Sequence, residues 1–234
     1  MNQPVLPSGE VTFVFTDIED STGLWQRHPE TMKDALARHH RILHDAITDN
    51  RGHVFQVVGD AFCTVFADAG GAVTAALAAQ RALHAAPWGE VGSLRVRMGI
   101  HTGPAEAGER DYESSLTLIR AQRVMTAGHG GQTLLSAAAA AGVQARLPTG
   151  VTLRDLGAFR LRGLAAPERL FQLIGPDLPS DFPAPRAFAT DGLPPDAVAP
   201  LDALVQGGLV GRDRELDQLR QRWMSAQEGH GQLV

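Results

Sequence analysis

The sequence predicts an α+β domain in which helices pack on a largely antiparallel sheet. Three observations carry this. Strand-like and helix-like segments alternate from about residue 9 to 175. Two joins between strands look like hairpins. Aliphatic, aromatic and Cys residues make up 44% of the 234-residue chain, enough to bury a sizeable core.

Glu10 to Ile18 carries Val11, Phe13 and Phe15 at period two and is rich in β-branched residues, which predicts a strand. Pro29 followed by Met32, Leu36, His39, Leu43 and Ile47 gives the three-to-four spacing of an amphipathic helix, stopped by Asn50-Arg51-Gly52. His53 to Val58 and Ala61 to Phe66 are strands separated only by Gly59-Asp60, the signature of a tight hairpin. Ala69 to Ala86 is an Ala-rich helix closed by Pro87. Leu94 to His101 alternates Leu94, Val96, Met98 and Ile100 and reads as a strand. Ser115 to Ala127 is a helix ending at Gly128. Gln132 to Leu135, Val151 to Leu156 and Arg169 to Ile174 read as strands.

Residues 1–175 therefore form the folded domain. Residues 176–208 contain seven prolines and no sustained periodicity, the composition of a partly extended linker. Residues 209–234 hold one helical pattern, with Leu216, Leu219 and Trp223 on one face, and are too few to bury a core alone. They are expected to be the truncated start of a further domain.

Composition narrows the function. Lys+Arg is 21 and Asp+Glu is 26, a formal net charge of −5, so binding of nucleic acid through bulk charge is excluded. One cysteine, Cys63, excludes a disulfide scaffold and a Cys-rich zinc site. No apolar run approaches the roughly 20 residues that span a bilayer. Met1 to Gly9 has no basic start followed by an apolar stretch. The expectation is a soluble, cytoplasmic protein without membrane contact.

Two acids stand out. Asp17 ends an apolar strand, and Asp60 sits at a hairpin tip. Adjacent strands would bring these hard oxygen donors together, which suits Mg²⁺ or Mn²⁺ with water and substrate phosphates completing the shell. Each acid taken alone also has a plain structural explanation, as a turn residue or a helix cap.

Five ordered motifs, covering about residues 10 to 174, carry a family resemblance. Val11 to Trp25 reads Val-Thr-Phe-Val-Phe-Thr-Asp-Ile-Glu-Asp-Ser-Thr-Gly-Leu-Trp, and Phe55 to Phe62 reads Phe-Gln-Val-Val-Gly-Asp-Ala-Phe. Arg95 to Gly103 is Arg-Val-Arg-Met-Gly-Ile-His-Thr-Gly. Gly128 to Gln132 is followed by Leu153 to Gly157 and Pro167 to Leu173. These segments resemble the catalytic domains of class III nucleotidyl cyclases of the bacterial branch. The resemblance implies a ferredoxin-like, palm-like sheet with flanking helices. It also implies a head-to-tail homodimer with nucleotide sites at the interface. One subunit would give Asp17, Asp60 and the carbonyl of Ile18 to two metal ions, Mg²⁺ or Mn²⁺. The backbone around Ser21 and Thr22, at the start of the next helix, would hold phosphates.

The partner-side residues depart from the family. Gln56 stands where adenylate-forming members carry Lys; its amide can donate to or accept from a purine edge. Arg123 matches the Arg of the transition-state pair, but Ile119 stands where its Asn belongs, four residues earlier, and cannot donate a hydrogen bond. The segment Glu113-Ser114-Ser115 stands where the related branch reads Tyr-Gly-Pro, and between Asp111-Tyr112 and Arg120 the chain is one residue longer than the family, a change that could instead present Thr117 or Ser115. Arg162 occupies the place of a Lys that contacts the triphosphate, a ligand role Arg can fill.

Other features have ordinary explanations. Gly128 to Gln132 is a helix cap and turn without a P-loop's Gly-Lys. His39, His40 and His101 lack partners at ligand spacing. Cys63 is a small strand residue, and Leu24 and Trp25 are core or dimer contacts. Leu209 to Leu216, Trp223 and Gly229 to Val234 resemble the start of a signal-transduction ATPase domain of the AAA/STAND type, ahead of any phosphate loop.

The expected function is an adenylate cyclase that converts ATP to cyclic AMP and pyrophosphate as the input of a larger bacterial regulator. The alternative is a degenerate cyclase domain acting as a nucleotide-binding or dimerisation module, favoured by Ile119 and the altered 113–115 segment.

Overall fold

Alternating apolar residues give Gly9–Ile18 (β1) two buried faces, and the sheet is organised around it. The computed structural model describes residues 6–108, 112 and 115–189, all within one compact unit that ends at Asp191. In chain order the elements are β1, α1 (Ser21–Arg27), α2 (Pro29–Asp49), β2 (His53–Val58), β3 (Ala61–Phe66), α3 (Ala69–Ala85), β4 (Val96–Ala105), α4 (Leu116–Ala127), β5 (Thr133–Ser136), α5 (Ala137–Val143), β6 (Thr152–Arg160), β7 (Glu168–Ile174) and β8 (Phe188–Ala189). The strands form one sheet in the order β2-β3-β1-β4-β5-β7-β6-β8, antiparallel throughout except for β4 and β5. This is the expected α+β class.

Period-two alternation splits the core. Val14 and Ile18 of β1, with Val96, Met98 and Ile100 of β4, face the layer of α2, α3 and α5. Val11, Phe13 and Phe15 face the other side, where Phe55, Tyr112, Ala121 and Met125 pack on them. Phe13 makes edge-to-face contacts with Phe15, Phe55 and Tyr112. Gly99 sits on this second face of β4. A Cβ there would fall 2.5 Å from the Cα of Met125, so glycine is what lets α4 lie close on the sheet.

Local signals set the boundaries. Asp68 caps α3 by accepting from the N–H groups of Gly70 and Gly71. Ser115 caps α4 through Leu118 N–H, and Ser136 caps α5 through Ala139 N–H. At the end of α2, Arg51 and not Gly52 takes the left-handed conformation, with φ of 62°. Gly52 is required for room, since a Cβ there would strike the Phe66 ring. The short helix α5 is a run of Ala, Gly and Val without periodicity, which is why the sequence did not predict it.

Residues 176–189, the first stretch of the Pro-rich segment, lie against the domain. β8 pairs with β6, Ser180 O accepts from Gln172 Nε2 and Arg154, and Arg186 N–H donates to Ala127 O. The rest of that segment and residues 209–234, expected from the sequence to begin an ATPase domain, lie outside the described residues.

Two buried histidines make stability pH-dependent. His39 is fully buried against Phe62, and His101 is buried with its Nδ1 2.7 Å from Ser136 Oγ. Burial pushes His39 down to about 3, and His101 down to about 4. Below pH ~6.5 the unfolded chain binds protons that the folded chain refuses, so stability is full above that pH and falls as pH drops toward the folded values. The expected loss is about 2 kcal/mol per histidine between pH 7 and pH 5. Urea unfolding at the two pH values checks it, with His39→Leu expected to remove about half of the difference.

Candidate active site

Asp17 follows Phe13 and Phe15 at period two and so lies on the α4 face of the sheet. Arg97 stands directly opposite on β4. Its guanidinium donates to Asp17 Oδ2 from Nε at 3.0 Å and also from Nη2. Asp60, at the β2–β3 tip, accepts the backbone N–H of Ile18 through Oδ2 at 3.0 Å. The tip itself is fixed by Gly59 in the left-handed region and by His40 Nε2, 3.0 Å from Gly59 O. Burial raises the Asp17 carboxyl above its ordinary value; Arg97 opposes this, and the charge of Asp60 adds to it.

The result is two carboxylates that repel each other at one sheet end, with the Ile18 backbone between them. This donor set fits a hard divalent cation, which would relieve the repulsion and take oxygen ligands from Asp17, Asp60 and the Ile18 carbonyl. Among the described residues no group of three or more His, Cys, Asp or Glu could hold a metal, so further ligands would have to be water or substrate oxygens.

Helix α1 begins immediately beyond. Its Ncap residue Asp20 has φ of 57° and makes no side-chain cap, so the first-turn N–H groups around Ser21 and Thr22 have no side-chain acceptor there. Asp20 instead accepts from Arg27 at 3.0 Å.

A groove of about 370 Å³ lies on the α4 face between the β2–β3 hairpin and α4. Gln56, Cys63, Ser115, Ile119 and Gln122 line it, together with apolar side chains of β1, β3 and α4. A bulge between Val54 and Gln56 brings Gln56 opposite Cys63 and so onto the groove side, next to Phe55. Ile119 is 39% exposed and points into this space. Thr117 does not replace it: that side chain is buried and donates to Pro104 O at 2.6 Å. Ser115 lines the groove, but its oxygen serves the α4 cap.

Arg123 lies one turn beyond Ile119 and is half-buried, and its Nε has no hydrogen-bond partner among the described residues. Arg162 is exposed in the turn between β6 and β7, not on a strand. The antiparallel order puts that turn at the sheet end opposite Asp17. One chain thus groups Asp17, Ile18, Asp60, Ser21 and Thr22, and places Gln56 and Ile119 in a groove that adjoins the acids through Thr16, Val58 and Ala61; Arg123 does not line that groove. The chain does not bring Arg162 to the acids.

The sequence reading missed three residues. Arg97 pairs with Asp17 through strand register, which a single strand does not reveal. Gln122 shares the groove because it lies three residues after Ile119 on α4. Glu19 is the third. Its carboxylate accepts from Arg186 and the Gly130 N–H and pairs with Arg95 at 3.4 Å. Cys63 is half-buried in the groove, and burial pushes its thiol up to about 11. Exposed Val57, Val58, Leu116 and Ile119 leave apolar surface on the hairpin and α4.

Comparison with known proteins places this geometry. The family model described as "Adenylate and Guanylate cyclase catalytic domain" matches residues 4–174. An uncharacterized protein of Mycobacterium tuberculosis is 38% identical over 179 residues, 76% of this chain and 60% of that protein. A receptor-type adenylate cyclase of Trypanosoma brucei brucei is 30% identical over 211 residues, 73% of this chain and 17% of the relative. A solved structure of Trypanosoma brucei adenylate cyclases in their monomeric state superposes with a TM-score of 0.68 at 31% identity, covering 78% of this chain and 96% of that one. The match thus spans 60% of the mycobacterial relative's length and 17% of the trypanosomal one's.

Proposed function

The chain belongs to the family of adenylate and guanylate cyclase catalytic domains, and from that premise we propose that it converts ATP to cyclic AMP and pyrophosphate at a site closed by two copies of the domain. One observation carries this reading: Asp17 and Asp60 converge at one sheet end, with Asp60 fixed by the Ile18 N–H at 3.0 Å. Asp17, Asp60 and the Ile18 carbonyl would hold two Mg²⁺ or Mn²⁺ ions. When bound, such ions activate the ribose 3′-hydroxyl and neutralise the triphosphate during in-line attack on the α-phosphorus.

The chain's own residues do the rest. Arg97 orients Asp17 across the β1–β4 pair. The N–H groups at Ser21 and Thr22 receive the outer phosphates. The second copy brings its groove against this half-site. Gln56 there reads the base edge, Arg123 faces the α-phosphate, and Arg162 reaches the triphosphate. The distance of Arg162 from the acids within one chain supports a shared site, as do the exposed apolar residues beside the groove. Among the described residues no helix is long and apolar enough to cross a membrane. We place the reaction in the cytoplasm, as the input to an ATPase domain that begins near residue 209.

Ile119 favours a second reading, a domain that binds nucleotide or dimerises without turnover. Incubating the purified chain with Mn²⁺ and each nucleoside triphosphate separately, then looking for cyclic product by mass spectrometry, decides between them. Cyclic AMP from ATP supports the enzyme. No cyclic product from a folded dimer supports the second reading.

A further inference from the structure

We propose that residues 176–189 act as a strap that holds the metal-binding turn, with Glu19 and Arg186 as its positioning pair. The proposal rests on the cyclase reading for its catalytic consequence, but its structural part stands on contacts of its own.

The backbone leaves the β1–β4 ladder at Ile18. Ile18 N–H goes to Asp60, and Glu19 N–H goes to Arg95 O at 2.9 Å. The next residue, Asp20, sits in the left-handed region, a conformation that Asp tolerates better than most residues. The Glu19 side chain adds the anchors that the strap reaches. It is 18% exposed and accepts from Arg186 and the Gly130 N–H, with Arg95 as a third partner. Gly130 must be glycine for this approach, since a Cβ would fall 2.7 Å from a Glu19 carboxylate oxygen.

The strap is fixed at both ends, by Leu178 on the core and Ser180 O on Gln172 and Arg154 at one end and by the β6–β8 pairing at the other, and by single polar contacts between them. Arg186 N–H donates to Ala127 O at 2.8 Å, at the end of the helix that carries Ile119 and Arg123. His129 Nε2 donates to Ala184 O at 3.0 Å. Between the strap, the end of α3 and the 128–131 turn lies a cavity of about 510 Å³, so this part of the strap is not backed by continuous packing. Arg186 therefore joins both halves of the site. Its backbone holds the end of α4, and its side chain holds the residue after Ile18. Releasing it removes one of the three partners of Glu19 and so loosens the turn.

The test uses the full chain, with Arg186→Ala, Arg186→Lys and Glu19→Gln. Hydrogen exchange of the 18–23 amides is the readout that needs no activity. Losing a charge-assisted contact should speed that exchange by roughly tenfold in Arg186→Ala and Glu19→Gln, leave β2 and β3 unchanged, and be largely reversed by Lys. In the assay, the Mn²⁺ concentration for half-maximal rate should rise by a similar factor, with KM for nucleotide little changed. Unchanged exchange at 18–23 in both variants overturns the strap. If Arg186→Ala does not fold, Glu19→Gln and Arg186→Lys decide by the same readout. A wild-type chain that forms no cyclic product overturns the function proposed above, and the exchange data still decide the strap.

Discussion

Asp17→Ala lowers cyclic-nucleotide formation by at least about 100-fold, since metal-ion stabilisation of a transferring phosphoryl group amounts to several kcal/mol. Asp17 is the residue on which the metal half-site turns. It lies opposite Arg97 and close enough to Asp60 for the two charges to repel. Removing it leaves Arg97 without its acid and Asp60 as the lone carboxylate. Asp17→Asn keeps the shape and the Arg97 side of the contact, so it separates loss of charge from loss of fold. Both variants should fold with the wild-type circular-dichroism spectrum and both should lose turnover. Full activity in either contradicts the two-carboxylate account.

Ile119→Asn raises the rate, by up to the factor of about 100 to 1000 that a single transition-state donor supplies elsewhere. The substitution is exposed enough to leave stability within about 0.5 kcal/mol. It places an amide in the groove four residues before Arg123, on the same helix face. The gain should fall on kcat, with KM little changed. Gln122 gives the competing explanation. If its amide already serves as the donor, Ile119→Asn changes little and Gln122→Ala lowers kcat instead.

Much of this arrangement is legible along the chain, because its determinants are local. Period two in Val11, Phe13 and Phe15, the Gly59-Asp60 hairpin and the three-to-four pattern of α2 each lie within one element, and together they locate both acids. The remaining features depend on partners distant in sequence. Arg97 meets Asp17 only through the β1–β4 register. Gln56 faces the groove because a bulge resets the alternation of β2. Glu19 and Arg186 are 167 residues apart, and prolines around Arg186 mask any strand signal. The Thr117 alternative failed for a similar reason: helix register alone does not say that Pro104 O takes its hydroxyl.

The most direct test of the account mixes two inactive chains, Asp17→Ala and Arg123→Ala. If one copy supplies the acids and the other the groove, each variant alone is inactive, and the mixed dimer keeps one intact site. An equimolar mixture should then recover about a quarter of wild-type cyclic AMP formation, the share expected for random pairing of a two-fold dimer. A mixture as inactive as its components would contradict a site shared between two copies.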